Sequence, residues 1–129
     1  SVGEHLAEDL PVQPRITYVD GLPEAGETVA RVRDLVGSDP HALVVLGGCL
    51  PRARTIKEFE AYSPFVPVGS WVVVTDTIVN GNPVWAGFGP GPLEGVKQIL
   101  VGHGEFFQDP EPERYALTFN PGGFLKRTR

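Results

Sequence analysis

The chain has no methionine and one cysteine in 129 residues. A single thiol, Cys49, excludes an internal disulfide framework and fits a reducing cytoplasm. Missing methionine decides nothing, because Ser1 permits ordinary removal of an initiator and a cut from a longer precursor would leave the same trace. A basic face is also missing. The formal net charge is −5 and the isoelectric point near 5.1. The one basic cluster is the tail Lys126, Arg127 and Arg129, which reads as solvated, so no nucleic-acid partner is expected. No apolar run approaches the ~20 residues of a membrane span, and no secretory pattern opens the chain. A cytoplasmic protein without membrane contact is therefore expected.

What is present is ordinary for a globular domain: 41% hydrophobic and 21% charged residues, enough for one core over 1–129. Thirteen prolines and sixteen glycines are many for this length. They gather at Gly21–Pro23, Pro64–Gly69, Gly81–Pro92 and Pro121–Gly123, between periodic segments, and so mark loops.

Those periodic segments alternate in type. Glu4 to Leu10 reads as a helical turn stopped by Pro11. Arg15–Asp20 (RITYVD) is β-branched and aromatic and predicts a strand. Glu24–Val36 carries Ala25, Val29, Val32 and Val36 at helical spacing, with Gly37 after its end. Ala42–Leu46 predicts a buried strand, and Ala53, Ile56, Phe59 and Tyr62 a helix ending before Pro64. Trp71–Asp76 predicts a further strand. Pro92 suits the first turn of a helix faced by Leu93, Val96, Ile99 and Leu100. Glu105–Gln108 and Arg114–Asn120 predict a closing strand pair around Asp109–Pro112. Strand–helix alternation implies a mainly parallel sheet with right-handed crossovers, closed by an antiparallel pair.

The stretch Gly69–Pro92 carries the clearest functional signal. A buried strand ends on an acid, Asp76, and opens into a Gly-, Pro- and Asn-rich loop, the place where open α/β sheets hold ligands. Asp76 is open to three readings: metal ligand, general base, or cap of the loop, with capping favoured. Gly47-Gly48 lacks the lysine and helix start of a phosphate loop and reads as a tight turn. No histidine base accompanies Cys49, so an inert thiol is expected. His5, His41 and His103 lie too far apart for metal-ligand spacing. The Gly87–Pro92 loop is either a rigid connection or a site border, and as a site border it would make the chain a small-molecule binder.

The element order, with RITYVDG, EFEAYSPFVPVGSWVVVTDT, NGNPV, FGPGP and LTFNPGGFLKR, resembles the cephalosporin hydroxylase and rhamnosyl O-methyltransferase family from about Arg15 to Arg127. The resemblance implies a class I methyltransferase-like, Rossmann-like fold that binds S-adenosylmethionine (SAM) beside a divalent metal. It also implies that 1–129 corresponds to the carboxyl-terminal half of that fold. The glycine-rich cofactor turn precedes Arg15 in the family, and nothing in Ser1–Pro14 replaces it.

The family's site residues are replaced as well. The positions of its metal-binding aspartate and histidine fall on Gly47 and Leu50. A further histidine falls on Arg54, and a Glu-Asp pair on Thr75-Asp76. The loop's Asn-Gly-His-Pro is Asn80-Gly81-Asn82-Pro83. Asp76 is thus a remnant metal ligand, and Asp76 and Asn80 are the only weak catalytic candidates, since a hard cation wants several oxygen ligands. No cofactor is expected on the chain alone. SAM and Mg²⁺ enter only if a partner completes the site.

Two functional expectations follow from the resemblance. The first is a truncated, degenerate, non-catalytic dimerising or accessory binding module in natural-product or sugar tailoring. The second is half of an active SAM- and metal-dependent O-methyltransferase or hydroxylase completed by another chain. Removing the preceding strands would leave an open edge beside Ala42–Leu46. Arg15–Asp20, a second copy in a homodimer, or a partner chain supplying the missing half would have to cover it.

Overall fold

The computed structural model describes residues 10–129; the expected turn over Glu4–Leu10 and His5 lie outside the described residues, except for Leu10 itself, which is in no helix. In chain order the elements are α1 (Gly26–Val36), β1 (Val44–Leu46), α2 (Arg52–Tyr62), β2 (Trp71–Val74), α3 (Pro92–Gly102), β3 (Phe106–Gln108) and β4 (Phe124–Arg127). The proline and glycine signals set these limits. Gly37 adopts φ 57° and its N–H closes α1 on the Arg33 carbonyl. Pro64 follows the end of α2, and Pro92 opens α3 at its first position.

Among the described residues one four-stranded sheet runs in the order β1-β2-β4-β3. β1 and β2 are parallel, with Val45 opposite Val73; β4 is antiparallel to both β2 and β3. The α/β class and the antiparallel closing pair hold. Two local expectations fail. Arg15–Asp20 forms no strand, so only one of the three pairings is parallel and the sheet is not mainly parallel. The last strand is Phe124–Arg127, while Arg114–Asn120 is turn and loop. Strand propensity is realised only where a neighbour supplies a ladder, and Phe124–Arg127 has one on each side.

The core forms on one face. Leu46, Val72, Val74 and Leu125 point toward Phe59 of α2 and Val96 and Ile99 of α3, all essentially inaccessible to water. Close helix contact depends on Gly95. A Cβ there would sit 2.8 Å from the Thr55 Cβ, so only glycine lets α3 settle on α2. The opposite face is thinly covered. Val45 is exposed, Val73 and Trp71 are half-buried, and the Lys126 ammonium lies 4.6 Å from the centre of the Trp71 ring. Asp109 holds the Trp71 indole N–H at 2.9 Å. Helix α1 adds nothing to the core. Tyr62 donates its hydroxyl to the Pro23 carbonyl at 2.6 Å, tying the root of α1 to α2.

Candidate functional site

Strand directions bring three loops to one end of the sheet: Gly47–Leu50 after β1, Thr75–Gly91 after β2, and Asp109–Gly123 between β3 and β4. This is the carboxyl end of the parallel pair, where the sequence places its candidates. Backbone strain concentrates here. Cys49, Asp76, Asn80 and Trp85 all adopt positive φ, at 49°, 57°, 62° and 48°. Aspartate and asparagine tolerate that region better than cysteine or tryptophan.

Asp76 is the knot of these loops. Its Oδ2 accepts the Cys49 backbone N–H at 3.2 Å and the Thr75 hydroxyl at 2.9 Å. Its own N–H donates to Asn120 Oδ1 at 2.9 Å. Nearby, Thr77 donates to the Pro121 carbonyl at 2.8 Å. One residue thereby joins the turn after β1, its own loop and the turn before β4. Asn120 and the Cys49 N–H are the partners that inspection of Asp76 in sequence misses. The Asn-Pro-Gly-Gly turn was the available signal for the first, and a backbone amide leaves none.

Cys49 sits beside this carboxylate. Burial first, and then the charge and hydrogen bonding of Asp76, push its thiol above the ordinary value. That direction opposes thiolate formation and agrees with an inert cysteine. Asn80 does not join Asp76. Its amide donates to Glu94 Oε1 at 3.2 Å, and Asn82 adds a second donor at 3.4 Å. Glu94 also accepts the Gly91 N–H at 2.8 Å, closing the first turn of α3. Burial alone would raise the Glu94 carboxyl, but these donors outweigh it and hold the group below its usual value.

The Gly87–Pro92 loop is anchored to its neighbours. The Pro90 carbonyl accepts the Arg52 N–H at 2.9 Å, and Phe88 packs edge-on against Trp85 with centroids 5.0 Å apart. His103 lies away from this end, at the close of α3, with Nδ1 3.0 Å from Glu105 and its ring edge-on to Phe59. His41 is exposed, its N–H bonded to Asp39 Oδ1.

The donor set of Asp76 does not fit a hard cation. Such an ion takes about six oxygens, several from carboxylates. Here one Asp76 oxygen is already committed to two donors, and the flanking side chains are Cys49 and Thr75. Among the described residues no three His, Cys, Asp or Glu side chains converge in metal-binding geometry. No helix among them is long and apolar enough to cross a membrane.

Comparison with known proteins gives a consistent picture. A family model described as rhamnosyl O-methyltransferase/CmcI matches residues 3–128. Proteins named rhamnosyl O-methyltransferase from Mycobacterium tuberculosis (strain ATCC 25618 / H37Rv) and Mycobacterium bovis (strain ATCC BAA-935 / AF2122/97) are each 35% identical over 118 residues, covering 89% of this chain and 48% of each relative. The protein of that name from Mycobacterium leprae (strain TN) is 27% identical over 118 residues, covering 89% of this chain and 52% of the relative. The chain thus spans about half the length of the curated relatives it matches. No solved structure matches it.

Proposed function

We propose that this chain, which belongs to the rhamnosyl O-methyltransferase/CmcI family, does not transfer methyl groups by itself. It serves instead as a self-associating accessory binding module in sugar or natural-product tailoring. One observation carries this reading. Asp76, the acid at the carboxyl end of the parallel strands, uses its Oδ2 to close loops on Cys49 and Thr75. Gly47 and Leu50, where the family resemblance puts metal ligands, offer no side-chain donor at all. Methyl transfer also needs a group that accepts the proton of the attacking hydroxyl; the Asn80 amide is no base, and Asp76 already holds one carboxylate oxygen on two donors. The test is a thermal melt of the purified chain with SAM, with its demethylated product and with Mg²⁺. The melting temperature should stay put; a concentration-dependent rise would overturn the reading, since a ligand bound to the folded state stabilises by mass action.

The length of the relatives favours a second reading, in which this chain is half of an active enzyme completed by another polypeptide. Asp76 and Asn80 would then line a metal and substrate site, with SAM held mostly by the partner. Recovery from the native host of a stable 1:1 complex, whose partner carries a glycine-rich strand–turn–helix, supports this version. Methyl transfer by that complex completes its case.

A further inference from the structure

Among the described residues the sheet has an edge without a strand, and the chain has a strand-like segment without a sheet. β1 pairs only with β2 among the described residues, and its Leu46 carbonyl accepts the Thr75 N–H on that inner side. Neighbouring residues in a strand direct their backbone groups to opposite edges, so the Val45 N–H and C=O face outward. Val45 itself is 58% exposed and Leu43 51%. Beside this edge lies a cavity of about 440 Å³, walled by Val32 and Val36 of α1, Val44 of β1, and Tyr62 and Phe65. Helix α1 therefore stands off from β1 across an apolar slot. Open edges of this kind recruit extended polypeptide by strand addition.

The slot also has an unbalanced polar wall. Glu58 lines it, is 5% exposed and receives Arg54 Nη2 at 2.8 Å. Glu24 shares the same guanidinium at 3.6 Å, and its Oε2 is buried with no hydrogen-bond partner. Two carboxylates thus divide one cation, leaving room for a second.

Arg15–Asp20 supplies what the slot lacks. Its residues are β-branched and aromatic, it belongs to no ladder among the described residues, and Ile16 and Tyr18 are 44% and 43% exposed. Arg15 makes no ion pair among the described residues, and its charge complements Glu24 and Glu58. Within one copy the segment lies outside the slot's walls. Its root is pinned by the Tyr62 bond to Pro23 and by Glu24 on Arg54.

We propose that two copies of this chain associate about a two-fold axis, each placing Arg15–Asp20 in the other's slot between α1 and β1, with Arg15 against Glu24 and Glu58. This rests on the accessory-module reading above, in which self-association is the function of the open edge. Six extended residues reach about 20 Å, enough to run the length of β1 and its flanks.

The experiment uses the whole chain. Light scattering after size exclusion should give twice the 13.9 kDa chain mass. A mixture of C49S/I16C and C49S/V45C chains, treated with a short bismaleimide, should yield an inter-chain cross-link that either variant alone does not. R15E, an exposed change, should keep the circular dichroism spectrum and weaken the dimer at least about tenfold. A monomer at every accessible concentration, a dimer whose 16–45 cross-link forms only within one C49S/I16C/V45C chain, or a dimer indifferent to R15E would each overturn the proposal. Cofactor melts report on the accessory-module reading separately, so the two failures are distinguishable.

Discussion

The backbone N–H of Cys49 donates to the carboxylate of Asp76 at 3.2 Å, across 27 residues of sequence. This bond joins the turn after β1 to the turn after β2 at the end of the sheet where ligands would bind. It gives the most conspicuous acid of the chain a part in the architecture.

If Asp76 is a cap, its amide analogue should replace it well and its truncation should not. D76N keeps an acceptor oxygen and tolerates positive φ, so it should cost well under about 1 kcal/mol. D76A strands the Cys49 N–H and the Thr75 hydroxyl and puts alanine at φ 57°. About 1–3 kcal/mol of stability should disappear, read as a lower urea midpoint. Equal losses in the two variants would mean that charge, not acceptance, is what matters there.

The same pair governs the thiol. Burial and the Asp76 carboxylate hold Cys49 above the ordinary cysteine pKa, so alkylation near neutral pH should be slower than for free cysteine. D76N removes the negative charge while leaving most of the burial. Its thiol should titrate lower in ultraviolet absorbance and react several-fold faster. An unchanged rate would show that Asp76 does not act on the sulfur.

Much of this was legible in sequence. Pro64, Gly37 and Pro92 bound their helices where expected, because each acts through local backbone geometry. Strand pairing is not local. Arg15–Asp20 has the composition of a strand but no ladder partner among the described residues, whereas Phe124–Arg127 lies between β2 and β3. Asp76 was visible as a candidate, yet its role depends on Cys49 upstream and Asn120, 44 residues downstream. No window of sequence brings those three together.

Glu58 should leave a signature in the pH dependence of stability. Burial raises its carboxyl, and Arg54 only partly offsets this. A folded pKa above the unfolded value means the folded state holds more protons between the two. Its contribution is therefore complete below the ordinary glutamate value, about 4.3, and is lost as pH rises through the folded value. E58Q should thus gain ground on the wild type as pH rises across that window, measured by urea midpoints. Glu94, held low by its donors, works the other way: its contribution is present above the ordinary value and is lost as pH falls. A difference between wild type and E58Q that ignores pH would contradict the burial of Glu58 in the folded protein.

The most direct measurement of the central claim is an isothermal titration of SAM into the purified 129-residue chain, with and without Mg²⁺. With the acid of the site engaged in loop closure, no saturable heat should appear, and added Mg²⁺ should change nothing. Tight, stoichiometric binding of SAM by this chain alone would contradict the account.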